Sequence, residues 1–237
     1  MIETLLPAPM VSAEQFKDVS GDTLFPSERQ VIAKAGIARR REFTTVRACA
    51  RTALARLGIP AAPILPDGEG APQWPTGVVG SMTHCAGYRA AAVARTFDVA
   101  TVGIDAEPDA PIPTSGARAL VTVAEERAHI AELSARRPGV SWDRLIFSAK
   151  ESVYKAWYPL TGRWLDFDQV MVTVSPDEGT FSARLLVPGP RIGGRRMRGF
   201  TGGWKQFQGL LLTAVVVTSA APSLCSAAAS EAASERT

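Results

Sequence analysis

The chain has 237 residues, enough to bury a substantial core in one large α/β domain or in two small lobes. Apolar residues make up 46% of the sequence, charged residues 21%, and mean hydropathy is +0.05, which argues against disordered, collagen-like and fibrous classes. The formal net charge of +3 is small, but only five of the 26 basic residues are lysines. The arginine excess suits recognition of phosphate or carboxylate groups, and it equally fits the codon bias of a GC-rich genome.

Cysteine usage and hydropathy indicate a reducing compartment, which we expect to be the cytoplasm. Cys49, Cys85 and Cys225 are widely spaced, and the chain has only two histidines, so neither a disulfide framework nor a zinc site is predicted. The first ten residues carry an acid and two prolines instead of the basic start of a secretory signal. The apolar run 210–217 is too short to cross a bilayer and predicts a buried strand, so no membrane partner is expected.

The first half of the chain predicts a helix followed by strands. Apolar residues at three- and four-residue spacing predict one helix over 27–57, with a basic opposite face. Prolines and glycines predict a loop over 58–77. Short apolar or β-branched runs separated by turn residues then predict antiparallel strands over 78–83, 89–94 and 101–104.

The second half repeats this order. A stretch rich in proline and glycine predicts a linker over 108–116. Helical spacing predicts helices over 125–136 and 142–157. Strands are predicted over 170–174, 180–187, 199–207 and 210–218.

Both halves therefore place helices before a small antiparallel sheet, which predicts a mixed α/β (α+β) fold. We expect an N-terminal lobe of residues 1–107 and a C-terminal lobe of residues 108–218. Residues 219–237 are rich in alanine and serine and contain little that packs, so they are predicted to form a disordered tail.

Two carboxylates end an apolar strand in the segment VGIDAE (102–107). Because strand side chains alternate between faces, Asp105 and Glu107 point to the same side. Such a pair repels unless a cation or protons lie between the two groups, and oxygen ligands of this kind suit Mg²⁺. A solvated strand end before Pro108 is the alternative interpretation.

A charged pair lies in an otherwise apolar helical segment, FSAKESVYKAW (147–157). Glu151 and Lys155 are neighbours at positions i and i+4, so one helix face presents a carboxylate beside an ammonium group. Burial of such groups among aromatic residues is unusual, because an unpaired buried charge is costly. The alternative is a surface ion pair, which contributes little to stability.

Two further segments carry groups that can contact an anion. The segment GSMTHCAGYR (80–89) brings hydroxyl groups and His84 to a turn, although a single histidine is more often structural, as we expect for His129. The segment RRREFTTVR (39–47), with Arg51, places guanidinium groups along one side of the first helix, where they suit bidentate phosphate binding. A solvated helix face is the alternative.

Together these segments resemble the 4′-phosphopantetheinyl transferases, in their surfactin-type and enterobactin-component-D-like branch. The resemblance spans about residues 5–218 and rests, in chain order, on RRREFTTVRACAR, GAPQWPTGVVGSMTHCAGYRAAAVA, VGIDAE and WDRLIFSAKESVYKAWYPLTGRWLDF. It implies two similar lobes related by a pseudo-twofold axis, each a helix packed on a small antiparallel sheet, with coenzyme A in the cleft between them. The implied reaction transfers the 4′-phosphopantetheine group of coenzyme A to a serine of apo acyl or peptidyl carrier proteins in polyketide, nonribosomal peptide or siderophore synthesis, and releases 3′,5′-ADP.

The resemblance also implies roles for individual residues. Asp105, Glu107 and Glu151 would bind Mg²⁺, or Mn²⁺ in its place, and Glu151 is also the candidate base that deprotonates the attacking serine, directly or through a water. Lys155 and His84 join Glu151 as catalytic residues through phosphate contacts. For Trp164, a place in the hydrophobic core is the alternative to a place in the pantetheine channel. The implied contacts with coenzyme A come from Arg39, Arg40, Arg47, Thr83, His84, Lys150, Lys155 and Trp164.

One loop departs from the family pattern. Glu69 precedes Gly70-Ala71-Pro72, where the family usually has a basic residue, and Pro66 lies where another is common. An acid there would repel the 3′-phosphate of coenzyme A. Either Glu69 points to solvent or the affinity for coenzyme A is reduced.

Two other functions fit the same residues. A Mg²⁺-dependent nuclease or phosphohydrolase would use the carboxylates and the basic helix without a carrier protein. An RNA-binding protein would use the arginine helix together with the basic segment 191–200, which we interpret instead as a hairpin loop between strands. We expect a monomer whose partners are coenzyme A and carrier proteins, with no nucleic acid.

Overall fold

The computed structural model describes residues 1–21 and 23–219, so residues 220–237 of the predicted tail lie outside the described residues. The helices are α1 (Pro26–Val31), α2 (Ile37–Arg56), α3 (Ser115–Val121), α4 (Ala124–Arg136) and α5 (Trp142–Thr161), with 3₁₀ turns at Ile2–Leu5 and Phe167–Gln169. The strands are β1 (Val11–Gln15), β2 (Val78–Cys85), β3 (Tyr88–Arg95), β4 (Val99–Pro108), β5 (Val170–Ser175), β6 (Thr180–Leu185), β7 (Arg191–Ile192), β8 (Arg195–Arg196), β9 (Gly199–Phe207) and β10 (Leu210–Thr218). Within the described ranges, no helix combines the length and the apolar character that a membrane crossing requires.

All strand pairs are antiparallel. One sheet has the order β1-β3-β2, a second has the order β4-β10-β9-β6-β5, and β7 and β8 form a separate hairpin. Helix α2 packs on the three-stranded sheet, and α5 packs with α4 on the five-stranded sheet. The opposite faces of β3 and β10 share a further apolar cluster with β4. The predicted mixture of helices and antiparallel sheets is confirmed.

The single helix predicted over 27–57 is wrong, because the chain turns between α1 and α2. Gly36 is extended, with φ −67° and ψ 163°, and caps α2. The guanidinium group of Arg40 donates hydrogen bonds to the carbonyl oxygens of Ala33 and Ala35, which satisfies the backbone of the turn. The helical spacing of apolar residues continues through this turn, because Ile32 and Ala35 pack in the same apolar cluster as Phe43 of α2.

Two elements were not predicted. Strand β1 pairs with β3 and completes the first sheet. Helix α3 occupies the end of the predicted linker, where the Thr114 hydroxyl caps it by accepting a hydrogen bond from the Ala117 amide at 3.1 Å. Both elements are short, so they carry little periodic signal.

Strand β4 joins the two sheets. It pairs with β10 along its length, so its hydrogen bonds connect it to strands of the second half. At its other edge the Ile104 amide donates to Ser81 Oγ at 3.0 Å and the Ala106 amide donates to Thr83 Oγ1 at 3.0 Å. Hydroxyl side chains of β2 thus replace a neighbouring strand. The boundary between residues 107 and 108 falls inside β4, and the division of the chain into lobes stays a prediction.

Helix α5 lies directly against β4 because residue 103 is glycine. A Cβ atom there would lie 1.8 Å from the backbone oxygen of Ser152. One turn along the helix, Thr101 Oγ1 donates a hydrogen bond of 2.8 Å to the Ala156 carbonyl. This close approach places Asp105 and Glu107 beside the side chains of α5.

Candidate active site

A cleft of about 660 Å³ opens between α5 and the elements of the first half. Its walls come from α1, α2, the loop over residues 66–74, β2 and α5. Five of the predicted catalytic and coenzyme-binding residues line it: Arg39, Arg47, His84, Glu151 and Lys155. The α2 side of the cleft is therefore cationic, while the α5 side presents a carboxylate and an ammonium group.

Asp105 lies at the centre of a buried hydrogen-bond network beside this cleft, with 5% of its surface exposed. One carboxylate oxygen accepts hydrogen bonds from Lys155 Nζ at 2.7 Å and from Thr83 Oγ1 at 3.2 Å. The other oxygen accepts one from Ser148 Oγ at 2.8 Å. Partners on β2 and α5 thus hold the carboxylate, so its position depends on how these elements pack.

The other two carboxylates respond to the charge of Asp105. Burial and the negative charge of Asp105 raise the pKa of Glu107 to about 7, although Arg144 Nη1, 3.1 Å from Glu107 Oε2, acts in the opposite direction. Burial also raises the pKa of Glu151, with a further contribution from Asp105, while Lys155 opposes both. Within residues 1–21 and 23–219, the Glu151 carboxylate makes no hydrogen bond or ion pair. Three acidic groups therefore lie near one another with incomplete charge compensation.

His84 and Arg39 form the junction between β2 and α2. Arg39 Nη1 lies 2.7 Å from His84 Nε2, and since a guanidinium group only donates, Nε2 must accept. In the neutral ring the proton is then on Nδ1, which lies 3.6 Å from Glu42 Oε2. Burial lowers the pKa of His84, and Arg39 acts in the same direction against Glu42. The guanidinium group of Arg39 and the neutral imidazole of His84 thus lie side by side at the cleft.

Arg47 is held more rigidly. Its Nε donates a hydrogen bond of 2.9 Å to the Ile64 carbonyl, and its guanidinium carbon lies 3.2 Å from the centre of the Phe43 ring. Burial lowers the pKa of Arg47 to about 10, so the side chain remains a cation at neutral pH. Glu28 lies 3.7 Å from Arg47 but forms its shorter ion pair, 3.0 Å, with Arg51. Glu28 therefore pairs mainly with Arg51, and the terminal N–H groups of Arg47 remain available to an anion in the cleft.

Comparison with known proteins identifies the family. Residues 27–94 match the model of the 4′-phosphopantetheinyl transferase N-terminal domain, and residues 101–194 match that of the 4′-phosphopantetheinyl transferase superfamily. The chain belongs to the 4′-phosphopantetheinyl transferase superfamily. The family that the sequence motifs indicate is confirmed, and with it the transfer of a 4′-phosphopantetheine group as the activity of this enzyme.

Two curated relatives align with nearly the whole length of the transferase, and a third aligns with part of it. It is 57% identical over 224 residues to the 4′-phosphopantetheinyl transferase Svp of Streptomyces mobaraensis, across 93% of this chain and 91% of the relative. It is 43% identical to the 4′-phosphopantetheinyl transferase PptT of Mycobacterium tuberculosis, across 92% of this chain and 98% of that protein. Enterobactin synthase component D of Salmonella typhi is 33% identical over a shorter region, 57% of this chain and 56% of the relative.

The structure does not bring two of the expected coenzyme A contacts into the cleft of the transferase. Lys150 is 1% exposed, and its ammonium group lies 2.7 Å from Glu126 Oε2 while donating to two backbone carbonyls. Adjacent helix residues point in different directions, and Lys150 does not line the cleft that Glu151 and Lys155 line. Arg40 is turned toward the carbonyls between α1 and α2. These contacts favour structural roles for Lys150 and Arg40, and their expected binding of coenzyme A stays a prediction.

The structure places Thr83 away from its expected phosphate contact, and it excludes the core alternative for Trp164. Thr83 is 3% exposed, and its hydroxyl accepts from the Ala106 amide and donates to Asp105, so it holds β4 instead of presenting a hydroxyl to phosphate. Trp164 is 63% exposed, which excludes a core position. Its ring centre lies 4.9 Å from that of Tyr154, and it lines a small pocket next to Glu151.

The carboxylates suit Mg²⁺ by chemistry, although they do not form a closed cage. Among the described residues, no three His, Cys, Asp or Glu side chains lie close enough to enclose a metal ion. Two of the carboxylates, Asp105 and Glu107, are paired with Lys155 and Arg144. Mg²⁺ commonly binds through one or two carboxylates together with substrate phosphates, so the donor set fits this ion without a complete protein cage.

Sequence reasoning missed a contact that closes one end of the cleft. Tyr158 on α5 donates a hydrogen bond of 3.1 Å to Asp67 Oδ2. Asp67 Oδ1 accepts hydrogen bonds of 2.9 Å from the amides of Glu69 and Ala71. An aspartate before a glycine-rich turn, as in DGEGAP, is the signal that predicts such a loop. The loop places Glu69 at the exposed rim of the cleft.

Proposed function

We propose that the enzyme transfers the 4′-phosphopantetheine group of coenzyme A to a serine of apo acyl or peptidyl carrier proteins in a Mg²⁺-dependent reaction. The observation that carries this proposal is the arrangement of the cleft. Arg39 and Arg47 lie on one wall, and Glu151 and Lys155 lie on the other, where the ammonium group of Lys155 pairs with the buried Asp105. Such a cleft binds the phosphates of coenzyme A at one wall and promotes displacement at the pyrophosphate at the other.

Asp105, Glu107 and Glu151 are the residues that would hold the metal. When bound, Mg²⁺, or Mn²⁺ in its place, neutralises charge on the pyrophosphate. The resemblance of the VGIDAE and FSAKESVYKAW segments to the family supports this assignment, as does the Glu151 carboxylate at the cleft, which has no hydrogen bond or ion pair among the described residues.

The chain's own residues then account for the transfer. Arg39 and Arg47 bind the 3′-phosphate of coenzyme A through charge-assisted hydrogen bonds, and His84 adds its imidazole beside them. The serine oxygen forms a bond to the phosphorus that carries pantetheine, and Glu151 accepts the serine proton. The bond from that phosphorus to the bridging oxygen breaks, and its electron pair leaves with 3′,5′-ADP. Lys155 stabilises the negative charge on the phosphates during this step.

A panel of apo carrier domains, incubated with coenzyme A and Mg²⁺ and analysed by mass spectrometry, tests the proposal. At least one carrier should gain the mass of phosphopantetheine, while 3′,5′-ADP accumulates in equal amount. Glu151→Gln should reduce the rate by about 10²–10⁴-fold, because a general base contributes on that scale. Glu125→Gln, an exposed acid on α4, is the matched control and should leave the rate unchanged.

Two results would contradict the proposal. Hydrolysis of coenzyme A without modification of any carrier would favour the phosphohydrolase alternative. A Glu151→Gln variant with a near-normal rate would remove both roles of that residue.

We further propose that the enzyme acts as a monomer in the cytoplasm and serves polyketide, nonribosomal peptide or siderophore synthesis. The described cysteines, Cys49 and Cys85, are free thiols, which suits a reducing compartment. The hairpin β7–β8 exposes arginines but has no aromatic residue between them, unlike surfaces that stack single-stranded nucleic acid. Strong, steeply salt-dependent RNA binding would instead support the nucleic-acid alternative.

A further inference from the structure

Two buried hydroxyl groups lie behind Asp105, on the side away from Lys155. Ser148 on α5 and Thr213 on β10 are both 0% exposed. Ser148 Oγ lies 2.8 Å from Asp105 Oδ2 and 3.0 Å from Thr213 Oγ1. Thr213 is also the residue directly opposite Asp105 in the pairing of β4 with β10. A chain of polar contacts thus runs from the five-stranded sheet through α5 to the carboxylate.

The protons of this chain can be assigned. A carboxylate only accepts, so the single hydroxyl proton of Ser148 is donated to Asp105. Thr213 Oγ1 lies 3.0 Å from the Ser148 carbonyl oxygen and 3.0 Å from Ser148 Oγ, so its single proton is donated to one of these two oxygens. Thr213 holds Ser148, and Ser148 holds Asp105. Both hydroxyl protons therefore have a buried acceptor.

Ser148 restricts a rotation of the Asp105 carboxylate that the other partners of this group allow. Lys155 and Thr83 both bind the same oxygen of Asp105, Oδ1. The carboxylate torsion of an aspartate is broad, so contacts on one oxygen alone leave the group free to rotate about the Cβ–Cγ bond. Ser148 is the described partner of the second oxygen, Oδ2. Its hydrogen bond therefore fixes the plane of the carboxylate.

We propose that Ser148, supported by Thr213, is a positioning residue that orients the Asp105 carboxylate for the metal ion. This inference rests on the proposed Mg²⁺ dependence. Asp105 has about four lone-pair positions, of which its described partners take three, and Ser148 decides where the remaining one on Oδ2 points. Residues that orient a metal ligand in this way typically change metal affinity by about 10–100-fold when removed.

Titration of the protein with Mn²⁺, followed by electron paramagnetic resonance in the presence of coenzyme A, tests this directly. Ser148→Ala should weaken Mn²⁺ binding about 10–100-fold and raise the Mg²⁺ concentration for half-maximal rate in parallel. Ser152→Ala is the matched control, because Ser152 is also 0% exposed on α5, but its hydroxyl donates to the Ala149 carbonyl of the same helix at 2.8 Å. This control should bind Mn²⁺ like the unchanged protein.

The outcomes separate the inference from the function on which it rests. Equal Mn²⁺ affinity in Ser148→Ala and the unchanged protein would overturn the inference, as would an equal loss in both alanine variants. Absence of Mn²⁺ binding by the unchanged protein would remove the metal site itself and the role of Ser148 with it. Should Ser148→Ala fail to fold, Thr213→Val keeps the side-chain shape and should still weaken Mn²⁺ binding several-fold, and unchanged binding would refute the supporting role.

Discussion

Lys150 either stabilises the fold or contacts a phosphate of coenzyme A. The variant Lys150→Met tests which of these two roles it has. The ammonium group is buried with Glu126, whose side chain is 0% exposed, at a distance of 2.7 Å. It also donates to the carbonyl oxygens of Val121 and Phe167, at 2.9 Å and 2.7 Å. Methionine fills a similar volume but removes every one of these donors.

The expected loss of stability in Lys150→Met follows from the Glu126 charge that remains buried without a partner. Removing one partner of a buried ion pair lowers stability by about 3–5 kcal/mol, because the other charge is left uncompensated. Two carbonyl oxygens lose a donor as well, so the upper part of that range applies. A total stability of about 5–15 kcal/mol is typical of a folded protein, so the variant should fold with a much smaller margin.

Urea unfolding followed by tryptophan fluorescence measures this loss, since Trp142, Trp157 and Trp204 are buried. With a denaturant slope of about 3 kcal/mol/M, the midpoint should fall by roughly 1–2 M. At a temperature where the variant stays folded, its KM for coenzyme A should be unchanged. Lys150→Met combined with Glu126→Gln should regain part of the lost stability, because no buried charge is then unpaired, although one of the Val123 and Val172 amides loses its acceptor.

Lys155→Met is the matched comparison on the same helix. Lys155 has 27% of its side chain exposed and faces the cleft, and Asp105 keeps its hydrogen bonds from Thr83 and Ser148, so loss of Lys155 should reduce stability less than Lys150→Met does and reduce turnover more. The reasoning would be refuted if Lys150→Met unfolded within about 0.5 kcal/mol of the unchanged protein and raised the KM for coenzyme A, since that is the behaviour of a phosphate contact.

Three further variants test how the site is built. Gly103→Ala should lower stability by about 3 kcal/mol or more and turnover by about 10²-fold, because α5 must shift away from β4. Unfolding and rate measurements check both effects. Gly116→Ala is the control, because a Cβ atom there meets no atom within 4 Å. Thr83→Val should destabilise by about 1–3 kcal/mol through an unpaired β4 amide and lower kcat, and a rise in KM for coenzyme A alone would contradict the holding role. Arg47→Ala should raise the KM for coenzyme A about tenfold or more with little change in kcat, as expected for loss of one charge-assisted hydrogen bond.

Several features of the site follow from local sequence patterns. The alternation of strand side chains predicted that Asp105 and Glu107 share a side, and both contact α5, through Ser148 and Arg144. The i, i+4 spacing predicted that Glu151 and Lys155 share a helix face, and both line the cleft. These predictions succeeded because the geometry of one strand or one helix is enough to make them.

The break between α1 and α2 shows where local patterns fail. Apolar spacing continues through residues 32–36, so periodicity predicted an unbroken helix. The turn exists because Arg40, on the next helix, supplies donors to its carbonyls, and that contact depends on the chain already having folded back.

The sequence by itself determined the family, the mixture of helices and antiparallel strands, and five of the residues that line the cleft, because motif spacing and side-chain periodicity are local properties. Tertiary structure alone decided which polar residue meets which. Lys150 pairs with Glu126 on α4, Thr83 holds β4, and Ser148 reaches Asp105 through the close approach at Gly103. Basic and hydroxyl residues that look equivalent along the chain therefore divide into structural and functional groups only when distant elements pack against them, since a buried polar group must take whatever partner that packing provides.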